Sequence, residues 1–84
     1  MTDVRPALLC LNTGSSSVKF SLYAVDDHQP RLIFSGQMEG LLGQPHFQAC
    51  DASGAVLAER QWDAAKHRAE AVSIILDFVA DQAK

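Results

Sequence analysis

At 84 residues the chain sits at the small end of folding domains, where about two thirds of the unfolded surface at most is buried and one small core is all that can be built. Hydrophobic residues make up 48% and charged residues 20%, which fits a globular protein and excludes a disordered one. A formal net charge of −3 supplies no broad positive field for nucleic acid or anionic lipid, so any phosphate is held locally.

The opening Met1-Thr2-Asp3-Val4-Arg5-Pro6 lacks the basic segment and long apolar run of a signal peptide, and no stretch approaches about 18 apolar residues. No membrane association and a cytoplasmic location are expected. Ala7 to Leu11 is a continuous apolar run stopped by Asn12-Thr13-Gly14, the pattern of a central strand covered on both faces. From Ser17 the chain alternates: Val18, Phe20, Leu22 and Ala24 point one way, and Ser17, Lys19, Ser21 and Tyr23 the other. Asp26 to Pro30 reads as a turn before a third strand over Arg31 to Gln37. Gly40, Gly43 and Pro45 break the chain, and Asp51-Ala52-Ser53-Gly54 reads as a hairpin turn between strands at His46 to Asp51 and Ala55 to Trp62. Cys10 and Cys50 each fall inside an apolar or strand-like run and outside any Cys/His cluster, so both are expected as buried, reduced thiols.

Asp63 is a plausible N-cap for a helix running toward Lys84, although Lys66 stands where a capping-box Glu belongs. Lys66, Glu70, Ser73, Asp77, Asp81 and Lys84 recur at spacings of four and three and form one narrow polar stripe. Val72, Ile74, Ile75, Leu76, Phe78 and Val79 cover an arc wider than one sheet face can bury. The expected fold is α/β, an N-terminal meander of about five strands plus one helix, belonging to a larger protein that covers the remaining apolar surface.

The chemistry concentrates between the first two strands. Small or hydroxylated residues from Thr13 to Ser17 let backbone N–H groups and serine hydroxyls approach an anion. Gly14 permits a conformation barred to residues with a side chain, Asn12 offers a carbonyl suited to a phosphate or a metal-bound water, and Lys19 adds a positive charge on the face of Ser17. The set suits Mg-nucleotide phosphates, but it is no Walker A loop, because the turn joins two strands and lacks the second glycine and the helix. Spacing alone leaves a phosphate site and an ordinary hairpin both open.

The apolar strand, Asn12-Thr13-Gly14-Ser15-Ser16-Ser17-Val18-Lys19-Phe20, and the alternating strand after it resemble the opening phosphate loop of the acetate and propionate kinases, a branch of the actin/hexokinase/sugar-kinase superfamily. That superfamily generally begins the loop with Asp, and butyrate kinases resemble Asn-Pro-Gly-Ser-Thr-Ser, so Asn12 with Ser15, Ser16 and Ser17 favours the acetate/propionate group. Ser35-Gly36-Gln37-Met38-Glu39, the hairpin from His46 to Trp62 and His67 to Val72 also resemble family segments, more weakly. Thr13 departs from the Ala or Cys frequent in the family.

The resemblance implies that residues 1–84 are the N-terminal portion of the first actin-like ATPase (ribonuclease H-like) domain of a kinase. Such a kinase moves the γ-phosphoryl of ATP reversibly to acetate, giving acetyl phosphate and ADP. It further implies Mg²⁺ as cofactor with Asn12 at the metal site, Lys19 at the ATP site, and Gly14, Ser15, Ser16 and Ser17 around the transferring phosphates. The parent is expected to be a homodimer. The family's catalytic and substrate-binding arginines, its acidic residue and its adenosine pocket lie beyond Lys84, so the chain alone is expected to be inactive; Arg31, Arg60 and Arg68 match none of them. A propionate kinase and a non-catalytic, anion-binding β-rich module are the alternatives.

Elsewhere, His28, His46 and His67 share no metal-site spacing. Glu39, Asp51 and Glu59 read as solvated charges rather than a carboxylate pair, and Trp62 as a packing anchor.

Overall fold

A computed structural model describes residues 7–26 and 29–82. Five strands, β1 (Ala7–Thr13), β2 (Val18–Asp26), β3 (Gln29–Glu39), β4 (His46–Asp51) and β5 (Val56–Gln61), precede one helix, α1 (Arg68–Gln82). The strands form a single antiparallel sheet in chain order, as short turns between successive strands dictate. The expected α/β meander and its strand count are observed. The turn expected over Asp26 to Pro30 is shorter than its sequence implies: Asp26 ends β2 and Gln29 and Pro30 open β3, paired with Asp26 and Val25, and only residues 27–28, outside the described residues, lie between the strands.

Alternation in β2 decides which face is buried. Val18, Phe20 and Ala24 are buried and Leu22 half-buried, whereas Lys19 is exposed. All four phenylalanines meet on that face. The Phe20 and Phe47 rings stack at 5.9 Å, and Phe78, projecting from α1, meets Phe20, Phe34 and Phe47 edge-on at 6.1, 5.3 and 5.4 Å. These are the offset and T-shaped geometries that the ring quadrupole favours. Met38, Leu41, Ala49, Ala71 and Ile75 complete the core.

Three expectations are corrected. β1 is an edge strand, not a central one: its residues are exposed except the half-buried Leu9. The apolar run is still a strand, but α1 is centred over β2, β3 and β4 through Phe78, so Leu8 and Leu11 stay 50% and 41% exposed. Cys10 is exposed and Cys50 half-buried, because both pair with serines, Ser21 and Ser35, on the face turned away from α1. Finally, the helix begins at Arg68 rather than after Asp63. The intervening segment is tied down outside the helix, bending at Asp63 and Ala64, with Trp62 N–H donating to the Pro45 carbonyl at 3.0 Å and Lys66 N–H to that of Leu41 at 2.9 Å. Glu70 then accepts from His67 N–H at 3.1 Å, so the capping box is displaced to His67 and Glu70 and keeps only its carboxylate half.

The apolar arc of α1 is as wide as its sequence implies. Ala71 and Ile75 are buried, Val72, Ile74, Phe78 and Val79 half-buried, and Leu76 remains 45% exposed. Glu70, Ser73, Asp77 and Asp81 form the exposed stripe; Lys84 lies outside the described residues.

Two features generate measurable expectations. A Cβ on Gly36 would lie 2.7 Å from Phe20 Cζ and closer still to the Gln48 carbonyl oxygen, and the Phe20 ring is wedged among three others. Gly36→Ala is therefore expected to destabilise the fold by about 1–3 kcal/mol, the range for overpacking; an unchanged denaturant midpoint would contradict this. Asp51 caps the β4–β5 turn, accepting from Ser53 Oγ at 2.7 Å, Ser53 N–H at 2.9 Å and Ala55 N–H at 3.0 Å. Chiefly through the Ser53 hydroxyl, its carboxyl sits below its usual 3.8, and the His67 N–H, aided by Lys66, holds Glu70 below 4.5. Both folded-state values are depressed, so their stabilisation is complete above those ordinary values and is lost as pH falls through the folded ones. Thermal midpoints followed from about pH 6 to about pH 3 should fall at the acid end, and the Asp51→Asn, Glu70→Gln double variant should flatten that fall.

Candidate functional site

The register of β1 against β2 places Asn12 directly opposite Lys19, so the two side chains share a face, the one turned away from Phe20 and α1. The same row continues through Gln37, Gln48 and Glu59, a polar track running across all five strands. A depression of ≈270 Å³ lies at Cys10, Asn12, Lys19 and Ser21. A larger groove of ≈380 Å³ opens between β4, β5 and α1 at Phe47, Ala58, Arg60, Ile74, Asp77 and Phe78. It lies on the opposite face and is the uncovered mouth of the core.

The serine turn closes tightly. Gly14 N–H donates to the Ser17 carbonyl at 2.8 Å, so this amide is committed within the turn. Ser15 and Ser16 stand at the tip and donate to no partner among the described residues. Ser17 lies just outside β2, and Thr13↔Val18 is the last strand pair, so strand alternation does not set the face of Ser17 relative to Lys19. Gly14 is not left-handed either. The glycines with positive φ are Gly40, at 70°, and Gly54, at 94°. What Gly14 provides is room, since a Cβ there would stand 3.1 Å from Ser17 Oγ.

Two braces hold the turn from behind. Leu41 N–H donates to the Ser16 carbonyl at 3.1 Å, while the Leu41 carbonyl accepts from Lys66. Arg68 Nη2 donates to the Gly14 carbonyl at 3.0 Å. Sequence reasoning missed both residues: Leu41 acts through its backbone, and Arg68 lies 54 positions away on another element, where no periodicity or spacing connects it to the turn.

The remaining candidates fall into structural roles. His46 Nε2 and Glu59 pair at 2.7 Å across β4 and β5, and Asp51 is absorbed in its own turn, so Glu39, Asp51 and Glu59 form no catalytic pair. Trp62 packs against the core and carries the Arg60 guanidinium 4.9 Å from its ring centre. Among the described residues no three His, Cys, Asp or Glu side chains gather to hold a metal ion. Asn12 contributes one neutral oxygen beside the Lys19 ammonium, a donor set that holds no divalent cation unaided. It suits only an ion brought by phosphate oxygens. No helix among the described residues is long and apolar enough to cross a membrane.

Over 58 residues, 69% of its length, the chain is 34% identical to a protein named acetate kinase from Rhizobium meliloti. It spans 15% of the length of that relative. No protein-family profile matches the chain, and no solved structure matches it. The named relative points to a relationship with the kinases and agrees with the resemblance carried by Asn12 to Phe20.

The two glycines nearest the turn should answer differently to alanine. Gly14→Ala needs only a small shift of the Ser17 hydroxyl and is expected to cost less than about 1 kcal/mol. Gly40→Ala combines a positive φ with a Cβ 2.8 Å from the Gln44 carbonyl oxygen and should cost about 1–3 kcal/mol. Equal denaturant midpoints for the two variants would contradict the geometry.

Proposed function

We propose that the chain supplies the phosphate loop of an acetate-kinase-like phosphotransferase, which moves the γ-phosphoryl of ATP to acetate. The observation that carries this reading is the placement of Asn12 opposite Lys19 at the base of a turn whose tip amides, Ser15 and Ser16, have no protein partner among the described residues. The similarity to a protein named acetate kinase supports the choice of reaction.

In this reading the tip amides and the serine hydroxyls contact phosphate oxygens, because N–H groups presented by a turn form a concave anion site. The Lys19 ammonium neutralises charge on the same phosphates without needing a fixed geometry. Asn12 would help hold a Mg²⁺ ion delivered with the nucleotide, and that ion would supply charge neutralisation on the phosphates. The chain's contribution to transfer is thus positioning and electrostatic, the two effects on which phosphoryl transfer depends. Acetate, the adenosine and the attacking geometry belong to parts of the parent protein other than this loop, within an actin-like ATPase domain of a cytoplasmic, homodimeric enzyme. A preference for propionate would also be decided there, since discriminating one methylene takes about 1–3 kcal/mol from an apolar pocket.

Titration of the ¹⁵N-labelled chain with MgATP is expected to move the amide resonances of Ser15, Ser16 and Ser17 selectively. Lys19→Gln should weaken that binding about tenfold, as expected for loss of a charge-assisted contact, while the chain alone forms no acetyl phosphate. Shifts spread over the whole sheet, or indifference to Lys19→Gln, would sink the proposal.

A further inference from the structure

Arg68, the first residue of α1, reaches the Gly14 carbonyl at 3.0 Å from Nη2. A trans peptide is planar, with its C=O and N–H pointing in opposite directions. The peptide whose oxygen faces Arg68 therefore aims its other end, the Ser15 N–H, away from α1. Leu41 does the same two peptides on: by donating to the Ser16 carbonyl it turns the Ser17 N–H outward. Phe20 faces α1 through Phe78, and Lys19 and Asn12 lie on the other side of the sheet. The Ser15 N–H is thus directed toward the side that bears Asn12 and Lys19.

We propose that Arg68 is a positioning residue for the serine turn, fixing the orientation of the Gly14–Ser15 peptide so that its N–H is presented to a phosphate. It touches no phosphate itself and acts through the Gly14 carbonyl. A donor on the carbonyl also polarises the peptide and strengthens its N–H as a donor. The function of the presented amide rests on the phosphate-loop reading above; the bracing does not. Leu41 alone leaves the Gly14 carbonyl unheld, so the two braces are complementary. The guanidinium is exposed, and α1 is anchored through Ala71, Ile75 and Phe78 rather than through this contact, so a change at Arg68 can be read at the turn without loss of the fold.

The test compares the unchanged chain with Arg68→Gln and Arg68→Lys, each labelled with ¹³C and ¹⁵N. In the free proteins, Arg68→Gln is expected to move the Gly14 carbonyl-carbon and Ser15 amide resonances while leaving the phenylalanine ring resonances in place. Arg68→Lys, which retains a cationic donor, should restore part of both. On titration with MgATP, Arg68→Gln should bind about fivefold more weakly, the loss expected from one hydrogen bond, with Arg68→Lys intermediate. Unmoved Gly14 and Ser15 resonances in Arg68→Gln would overturn the inference, even if MgATP affinity fell. If the unchanged chain shows no MgATP response, the phosphate-loop reading fails, and the free-protein resonances still decide the bracing. Should Arg68→Gln lose helical circular dichroism, the Gly14 and Ser15 resonances of Arg68→Lys decide it instead.

Discussion

The stacked and edge-on contacts among Phe20, Phe34, Phe47 and Phe78 fix everything else in this small fold. Three strands each contribute one ring and α1 the fourth, so the helix has one position and the sheet one buried face. Because strand residues alternate, burial of Phe20 forces Lys19 onto the opposite face. The neighbouring pair Leu11↔Phe20 fixes the register that puts Asn12 beside Lys19. A slip by one residue would turn Lys19 toward the core, where an unpaired ammonium is far too costly to bury. The register of the candidate site is thus enforced by hydrophobic burial at a distance from it.

The same packing carries α1 to the turn. Anchored by Ala71, Ile75 and Phe78, the helix starts with Arg68 within reach of Gly14. The start point is set in turn by the non-helical segment before it, whose Lys66 N–H is bound to the Leu41 carbonyl. Leu41, only 2% exposed, uses its N–H for the serine turn and its carbonyl for the approach to α1. One buried backbone unit therefore links the hairpin tip, the β3–β4 connection and the helix start. The turn can carry small, exposed residues because its order comes from carbonyl acceptors braced from behind rather than from its own side chains.

Where the signal was local, the sequence was legible. Alternation from Val18 to Ala24 identified the buried face, and the Asp51-Ala52-Ser53-Gly54 turn declared itself through residues whose side chains satisfy their own backbone. The wide apolar arc of α1 was visible too. Errors arose where tertiary bonds replaced local ones. Asp63 is a good N-cap by type, but the pairing of Trp62 with Pro45 and of Lys66 with Leu41 keeps the intervening residues out of the helix. An apolar run such as Ala7 to Leu11 reports that a strand is wanted, not how many neighbours it has. The conformational freedom that Gly14 permits is not used, and what it provides is space beside Ser17 Oγ. Arg68 was invisible because one guanidinium–carbonyl bond across 54 residues leaves no trace in periodicity.

The arrangement also limits what the hairpin can do by itself. Two tip amides and one ammonium, each contributing about 1.5–3 kcal/mol toward a charged ligand, total at most about 9 kcal/mol. Association removes at least about 4 kcal/mol of this through lost translation and rotation, leaving roughly submillimolar affinity at best. That is enough to seat a phosphate and too little to stabilise one in flight, since transfer requires further charges on the developing transition state. The polar track from Asn12 to Glu59 crosses the face of the sheet opposite to the aromatic core. A surface that presents its phosphate turn on one face and packs its core on the other is suited to act as a wall. In the proposed phosphotransferase, an opposing wall would have to bring the remaining positive charge and exclude the water that would otherwise compete for the phosphoryl group.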